Sequence, residues 1–162
     1  MYELFVDLDG VLVDFDEGVK RITGSYPSEL FSRRMWTQLA RTPGFYEHLD
    51  WTPDGRELWN AVRELSPTIL TGLPMGRWAE PQKRAWCARE LGEDVPVITC
   101  LSRHKAKRAR EVTPARKTPV LIDDRERIRE AWEEIGGIFI HHTDAASSIA
   151  RVHEVFDREH AG

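Results

Sequence analysis

The sequence predicts an α/β fold, a three-layer Rossmann-like core around a mostly parallel five-stranded sheet. Three observations predict it. Short apolar runs of strand-forming residues recur at 4–8, 67–70, 95–99, 119–122 and 137–140, each of a length that suits a strand buried on both faces. Segments of helical period lie between the runs, and this βα alternation is what a parallel sheet covered on both sides requires. The 162 residues, 41% hydrophobic and 31% charged, suffice for one compact core and little else.

The first run leads into Asp9-Gly10, and the second does not begin until Pro67. One crossover helix needs far less chain. Residues 16–65 are therefore expected to form a helical cap inserted after the first strand, with 1–15 and 66–162 forming the core. Within the insert, Val19 and Ile22, then Phe31, Met35 and Leu39, then Leu58, Ala61, Val62 and Leu65 fall at helical spacing, the last set behind Thr52-Pro53. Trp36, Trp51, Trp59, Phe45 and Tyr46 also lie in it, which suits a lid with a small core of its own. After the second strand a helix over 81–91 begins with Pro81 and stops at Gly92. Ile128, Ala131, Trp132 and Ile135 mark the next helix, ended by Gly136. Thr143 is placed to cap a last helix carrying Ala145, Ile149, Val152 and Phe156.

Lys plus Arg number 23 against 27 Asp plus Glu, and a net charge of -4 provides no global field for a polyanion. A general nucleic-acid binder is disfavoured, although basic residues gather over 103–117, a run that is more often a solvated helix face than a track for a phosphate backbone. Two cysteines, Cys87 and Cys100, are too few for a disulfide framework. There is no secretory pattern at the start, no lipidation motif and no apolar run approaching the ~20 residues of a membrane helix. The expectation is a cytoplasmic protein with no membrane partner.

The chemistry lies at the strand ends. Val6-Asp7-Leu8-Asp9-Gly10 places two acids at the carboxyl edge of the first strand, where open α/β sheets put their sites. Taken alone, such a pair also fits ordinary turn chemistry. The fourth run ends Ile122-Asp123-Asp124-Arg125 and brings a second acid pair to the same edge. Four converging carboxylates are stable mainly around a hard divalent cation, and oxygen-only ligation suits Mg²⁺. The alternative for Asp124 is a helix cap. Thr71-Gly72 offers a hydroxyl and backbone amides to a phosphate oxygen, or an ordinary turn, and Lys105 follows the third strand as a cation or as a solvated lysine. His141 and His142 read as edge residues.

The order Asp7-x-Asp9-Gly10-Val11, Thr71, Lys105, Asp123-Asp124 resembles that of the haloacid dehalogenase-like hydrolase superfamily over most of the chain. Within it, the run from Asp7 to Phe15, the inserted cap with Met35-Trp36, Ile69-Leu70-Thr71 and Leu121-Ile122-Asp123-Asp124 are most similar to the 5'(3')-deoxyribonucleotidase family. The resemblance implies a Mg²⁺-dependent phosphomonoesterase in which Asp7 is the nucleophile, forming an aspartyl-phosphate, and Asp9 the acid and base. It implies metal ligation by the Asp7 carboxylate, the Asp9 backbone carbonyl and one acid of the second pair. Strand alternation points Asp123 and Asp124 in opposite directions, so only one of them is expected as a direct ligand; Asp124 is favoured, with Asp123 orienting a water or a neighbour. Thr71, Gly72 and Lys105, or Lys107 in its place, would hold the phosphate. Phe15 and Trp36 would meet the base of a deoxynucleotide; lid core is the other reading of both. Alternative readings are another small phosphate ester, a nucleic-acid terminal phosphate, or a non-catalytic protein that keeps the fold.

Overall fold

The computed structural model describes residues 1–161. Five parallel strands, β1 (Tyr2–Val6), β2 (Thr68–Gly72), β3 (Val97–Cys100), β4 (Thr118–Asp123) and β5 (Ile138–His141), form one sheet in the order β3-β2-β1-β4-β5. The chain winds outward from β1 to β3, then crosses to the other side for β4 and β5. Strand order therefore reverses between β1 and β4, the crevice where open sheets bind ligands.

Alternation along the strands builds two cores. Leu4, Val6, Ile69, Val120 and Ile122 face one side, where they meet buried residues of the insert and of the last helix. Phe5, Leu70, Leu121 and Phe139 face the other, against Ala106, Ala109, Ile128 and Trp132. The expectation of strands buried on both faces holds for the middle of the sheet and fails at β3, which is half-buried along its whole length. As an edge strand it has a neighbour on one side only.

Among the described residues, seven α-helices complete the layers: α1 (Phe15–Thr23), α2 (Ser32–Ala40), α3 (Gly55–Val62), α4 (Ala79–Glu90), α5 (Lys105–Val112), α6 (Arg129–Glu134) and α7 (Ala145–Asp157). Asp14 caps α1, accepting from the Glu17 amide at 3.2 Å. Asp144 rather than Thr143 caps α7, because its carboxylate reaches the Ser147 amide at 2.8 Å while the Thr143 hydroxyl donates to Asp144 itself. A short 3-10 turn at Glu126–Ile128 precedes α6, and Gly136 ends it at φ 80°.

Within the insert, α1 and α2 pack on each other, whereas α3 packs on α7 of the core. Asp54, just before α3, accepts from the Ala145 amide at 2.7 Å and ties that end of the insert to α7. Gln82, Trp86 and Arg89 lie at i, i+4 and i+7 on one face of α4. Gln82 accepts from the Tyr46 amide, while Trp86 and Arg89 donate to the carbonyls of Leu49 and Glu47. The turn carrying Phe45 and Tyr46 is thus fixed to the core. Among the described residues, no helix is long and apolar enough to cross a membrane.

Candidate active site

The polar cluster starts where β1 stops. The Asp7 amide still donates to Ile122 at 3.0 Å, so the strand direction carries on and delivers the carboxylate to the sheet edge. Immediately beyond, the amides of Val11, Leu12 and Val13 all donate to the Leu8 carbonyl, winding one tight turn that holds Asp9 beside Asp7. Gly10 makes the turn possible. Its φ is +79°, and a Cβ there would sit 2.1 Å from Asp124 Oδ2. Gly10→Ala is accordingly expected to cost about 2 kcal/mol or more in backbone strain and clash. A thermal melt would show it, and an unchanged melting temperature would contradict the packing of Gly10 on Asp124.

Lys105, the first residue of α5, is fully buried and donates to Asp7 Oδ1 and to Asp123 Oδ2, both at 2.8 Å. Burial alone would lower its pKa, but the two carboxylates more than offset this and hold the ammonium charged. Lys107 is exposed two residues on. Asp123 ends β4 with no exposed surface, and its Oδ1 accepts from the Arg125 amide at 2.9 Å. Both its oxygens are therefore engaged. Asp124 differs: its Oδ1 is buried and has no partner. Burial first, then the charge of Asp7, pushes Asp123 up from 3.8 to about 6 and Asp124 up from 3.8 to about 7.

β2 supplies the opposite wall. Its pairing with β1 ends at Val6 and Ile69, while its pairing with β3 continues to Gly72 and Cys100. Thr71 and Gly72 thus project past the end of the central strand. Thr71 is fully buried, and a Cβ on Gly72 would require the Ser102 hydroxyl to turn away.

The structure brings Asp7, Asp9, Thr71, Gly72, Lys105, Asp123 and Asp124 to this edge, and adds a residue that the sequence reading missed. Lys83, from the middle of α4, is buried and donates to Asp9 Oδ2 at 3.1 Å, Thr71 Oγ1 at 2.9 Å and Gly72 O at 2.7 Å. A sequence signal for it existed. Ala79, Lys83, Trp86 and Cys87 form the buried stripe of α4, and a lysine in an apolar stripe needs an acceptor.

Phe15 and Trp36 lie within an aromatic cluster. The Phe15 ring is 5.6 Å from Trp36, 5.9 Å from Phe45 and 6.0 Å from Tyr46. Trp36 also faces Trp78 at 6.5 Å, and the two line a largely apolar groove of about 810 Å³ with Leu73, Pro74, Met75 and Leu101. Leu73, on the wall of the groove, directly follows Gly72 in the chain. His141 lies at the rim between Glu126 and the Asp124 carbonyl, while His142 is turned inward against Ser148.

Comparison with solved structures matches this arrangement of strands and helices. A haloacid dehalogenase-like hydrolase from Burkholderia xenovorans LB400 superposes with a TM-score of 0.55 at 19% identity, covering 91% of this chain and 85% of that one. A hydrolase from Streptococcus pneumoniae TIGR4 superposes with a TM-score of 0.54 at 14% identity, covering 96% and 98%. The fold is that of the haloacid dehalogenase-like hydrolases. No protein-family model and no curated protein matches the sequence.

On this fold, the residues present fit a divalent cation. Oxygens of Asp7, Asp123 and Asp124 all lie within 4.8 Å of one another. One lysine neutralises only part of that charge, and Asp124 Oδ1 lacks any donor. A hard cation taking oxygen ligands would satisfy both conditions, and Mg²⁺ has that preference.

Proposed function

We propose that this protein is a Mg²⁺-dependent phosphomonoesterase that works through an aspartyl-phosphate on Asp7. The observation that carries the reading is the division of labour between two neighbouring carboxylates. Asp7 is buried and held by Lys105 through Oδ1, while Asp9 is held by Lys83 through Oδ2 and keeps its other oxygen buried and without a partner. Such an oxygen is free to exchange a proton with a substrate.

In this reading an Asp7 oxygen bonds to phosphorus as the ester P–O bond breaks, and the departing oxygen takes its electron pair and a proton from Asp9. Asp9 then removes a proton from water. The water oxygen bonds to phosphorus, and the bond to Asp7 breaks to release inorganic phosphate. Asp7 and Asp124 would hold the metal, with Asp9 contributing its backbone carbonyl. Bound Mg²⁺ would offset charge on the phosphoryl oxygens. Thr71 and Gly72 would bind those oxygens, and Lys105 would offset part of the carboxylate charge that they approach.

The substrate proposed is a small phosphate monoester, a deoxyribonucleoside monophosphate in particular. Support comes from the groove that Trp36 and Trp78 line together with Leu73, the residue after Gly72, since stacking on such rings contributes ~1–3 kcal/mol per base. A nucleic-acid terminus is less well served. Within 103–117, Lys105 is buried, Arg108 and Lys117 are paired with Glu111 and Glu3, and Arg110 donates to the backbone.

The test is phosphate release from a panel of 5' and 3' deoxynucleotides, ribonucleotides, sugar phosphates and p-nitrophenyl phosphate, with Mg²⁺ and with EDTA. Mg²⁺-dependent release with the highest kcat/KM on deoxynucleotides is expected. Release from none of the panel would end the enzymatic reading, and a preference for sugar phosphates would end the nucleotide one.

A further inference from the structure

We infer that Lys83 is a positioning residue that sets the working oxygen of Asp9 and the direction of the Thr71 hydroxyl. The inference rests on the phosphomonoesterase reading above and adds to it a residue outside the strand-end motifs.

An ammonium has three protons and no acceptor. Those of Lys83 face three acceptors, Asp9 Oδ2 at 3.1 Å, Thr71 Oγ1 at 2.9 Å and Gly72 O at 2.7 Å. Two consequences follow from donor and acceptor roles alone. Thr71 Oγ1 accepts from Lys83, so its own proton is directed away from the ammonium. Asp9 is held by Oδ2, so Oδ1, buried and without a partner, is the oxygen left to meet the reacting group.

The ammonium is also confined. The Tyr46 ring lies 4.5 Å from Lys83 Nζ, and the Tyr46 amide is fastened to Gln82 on the same helix. Lys83 is 2% exposed. Enclosed on that side and with its donors engaged, it acts through Asp9 and Thr71 rather than on the substrate.

A residue that orients the acid has a particular kinetic signature. Protonation of the leaving oxygen matters greatly for an alkyl phosphate and little for p-nitrophenyl phosphate, whose leaving group departs as a stable anion. Lys83→Met is therefore expected to lower kcat for an alkyl phosphate by roughly 10²-fold, and for p-nitrophenyl phosphate by less than about 10-fold. KM should change little for either ester. An equal loss on both esters, or no loss on either, would overturn the inference.

Lys83→Gln, neutral and still able to donate, repeats the comparison should the Met variant not fold. A wild-type protein that cleaves neither ester would end the enzymatic reading instead. The positioning claim is then decided by crystal structures of the wild type and the variant. A turned Asp9 carboxylate and a shifted Thr71 side chain support it, and unmoved side chains overturn it.

Discussion

Asp7→Asn is expected to lower phosphate release by roughly 10⁴-fold or more, the scale of losing a nucleophile that acts as part of a unit, while the fold survives. An amide cannot form the aspartyl-phosphate, yet it keeps the shape of the carboxylate and an oxygen that can accept from Lys105. Lys105 also remains held by Asp123 at 2.8 Å. Removing one negative charge relieves Asp123 and Asp124, both of which Asp7 helps to push above ordinary carboxylate values. The melting temperature should thus stay within a few degrees of the wild type. Rapid quenching with a ³²P-labelled ester separates the two states: wild type should carry a hydroxylamine-sensitive label, and the variant none. Undiminished turnover in the variant would move the nucleophile away from Asp7.

The parts of this cluster differ in how far the sequence could reveal them, for physical reasons. Asp7, Thr71, Lys105 and Asp123-Asp124 each sit within a few residues of a strand end. In a parallel sheet, the carboxyl ends of neighbouring strands converge, so reading the strands also reads that edge. Lys83 sits in mid-helix, and nothing local says that α4 is laid with that face over β2. Its meeting with Asp9, 74 positions away, is a tertiary fact. The same holds for Tyr46, whose place over Lys83 depends on three α4 side chains gripping the turn around it. The insert was legible as helices from its periodicity, but not the packing of α3 on α7. Periodicity identifies the buried stripe of a helix and says nothing of its partner.

Lys105→Met should produce the largest change in stability, and one that depends on pH and on metal. Lys105 is buried between Asp7 and Asp123, and removing one partner of a buried ion pair costs about 3–5 kcal/mol. Asp123 and Asp124 titrate higher in the folded protein than their unfolded value of 3.8, at about 6 and about 7. Such groups add stability that is complete below the unfolded value and lost as pH rises through the folded one. Cation-free wild type should therefore melt at a lower temperature at pH 8 than at pH 5. The variant should fall more steeply over the same interval, because the charge that opposed the upward shift of Asp123 is gone. Mg²⁺ favours the ionised carboxylates, so it should raise the melting temperature more at pH 8 than at pH 5, and more in the variant than in the wild type. A melting temperature for the variant that is flat between pH 5 and 8, or indifferent to Mg²⁺, would mean that these carboxylates are not the unneutralised cluster from which the cation site is argued.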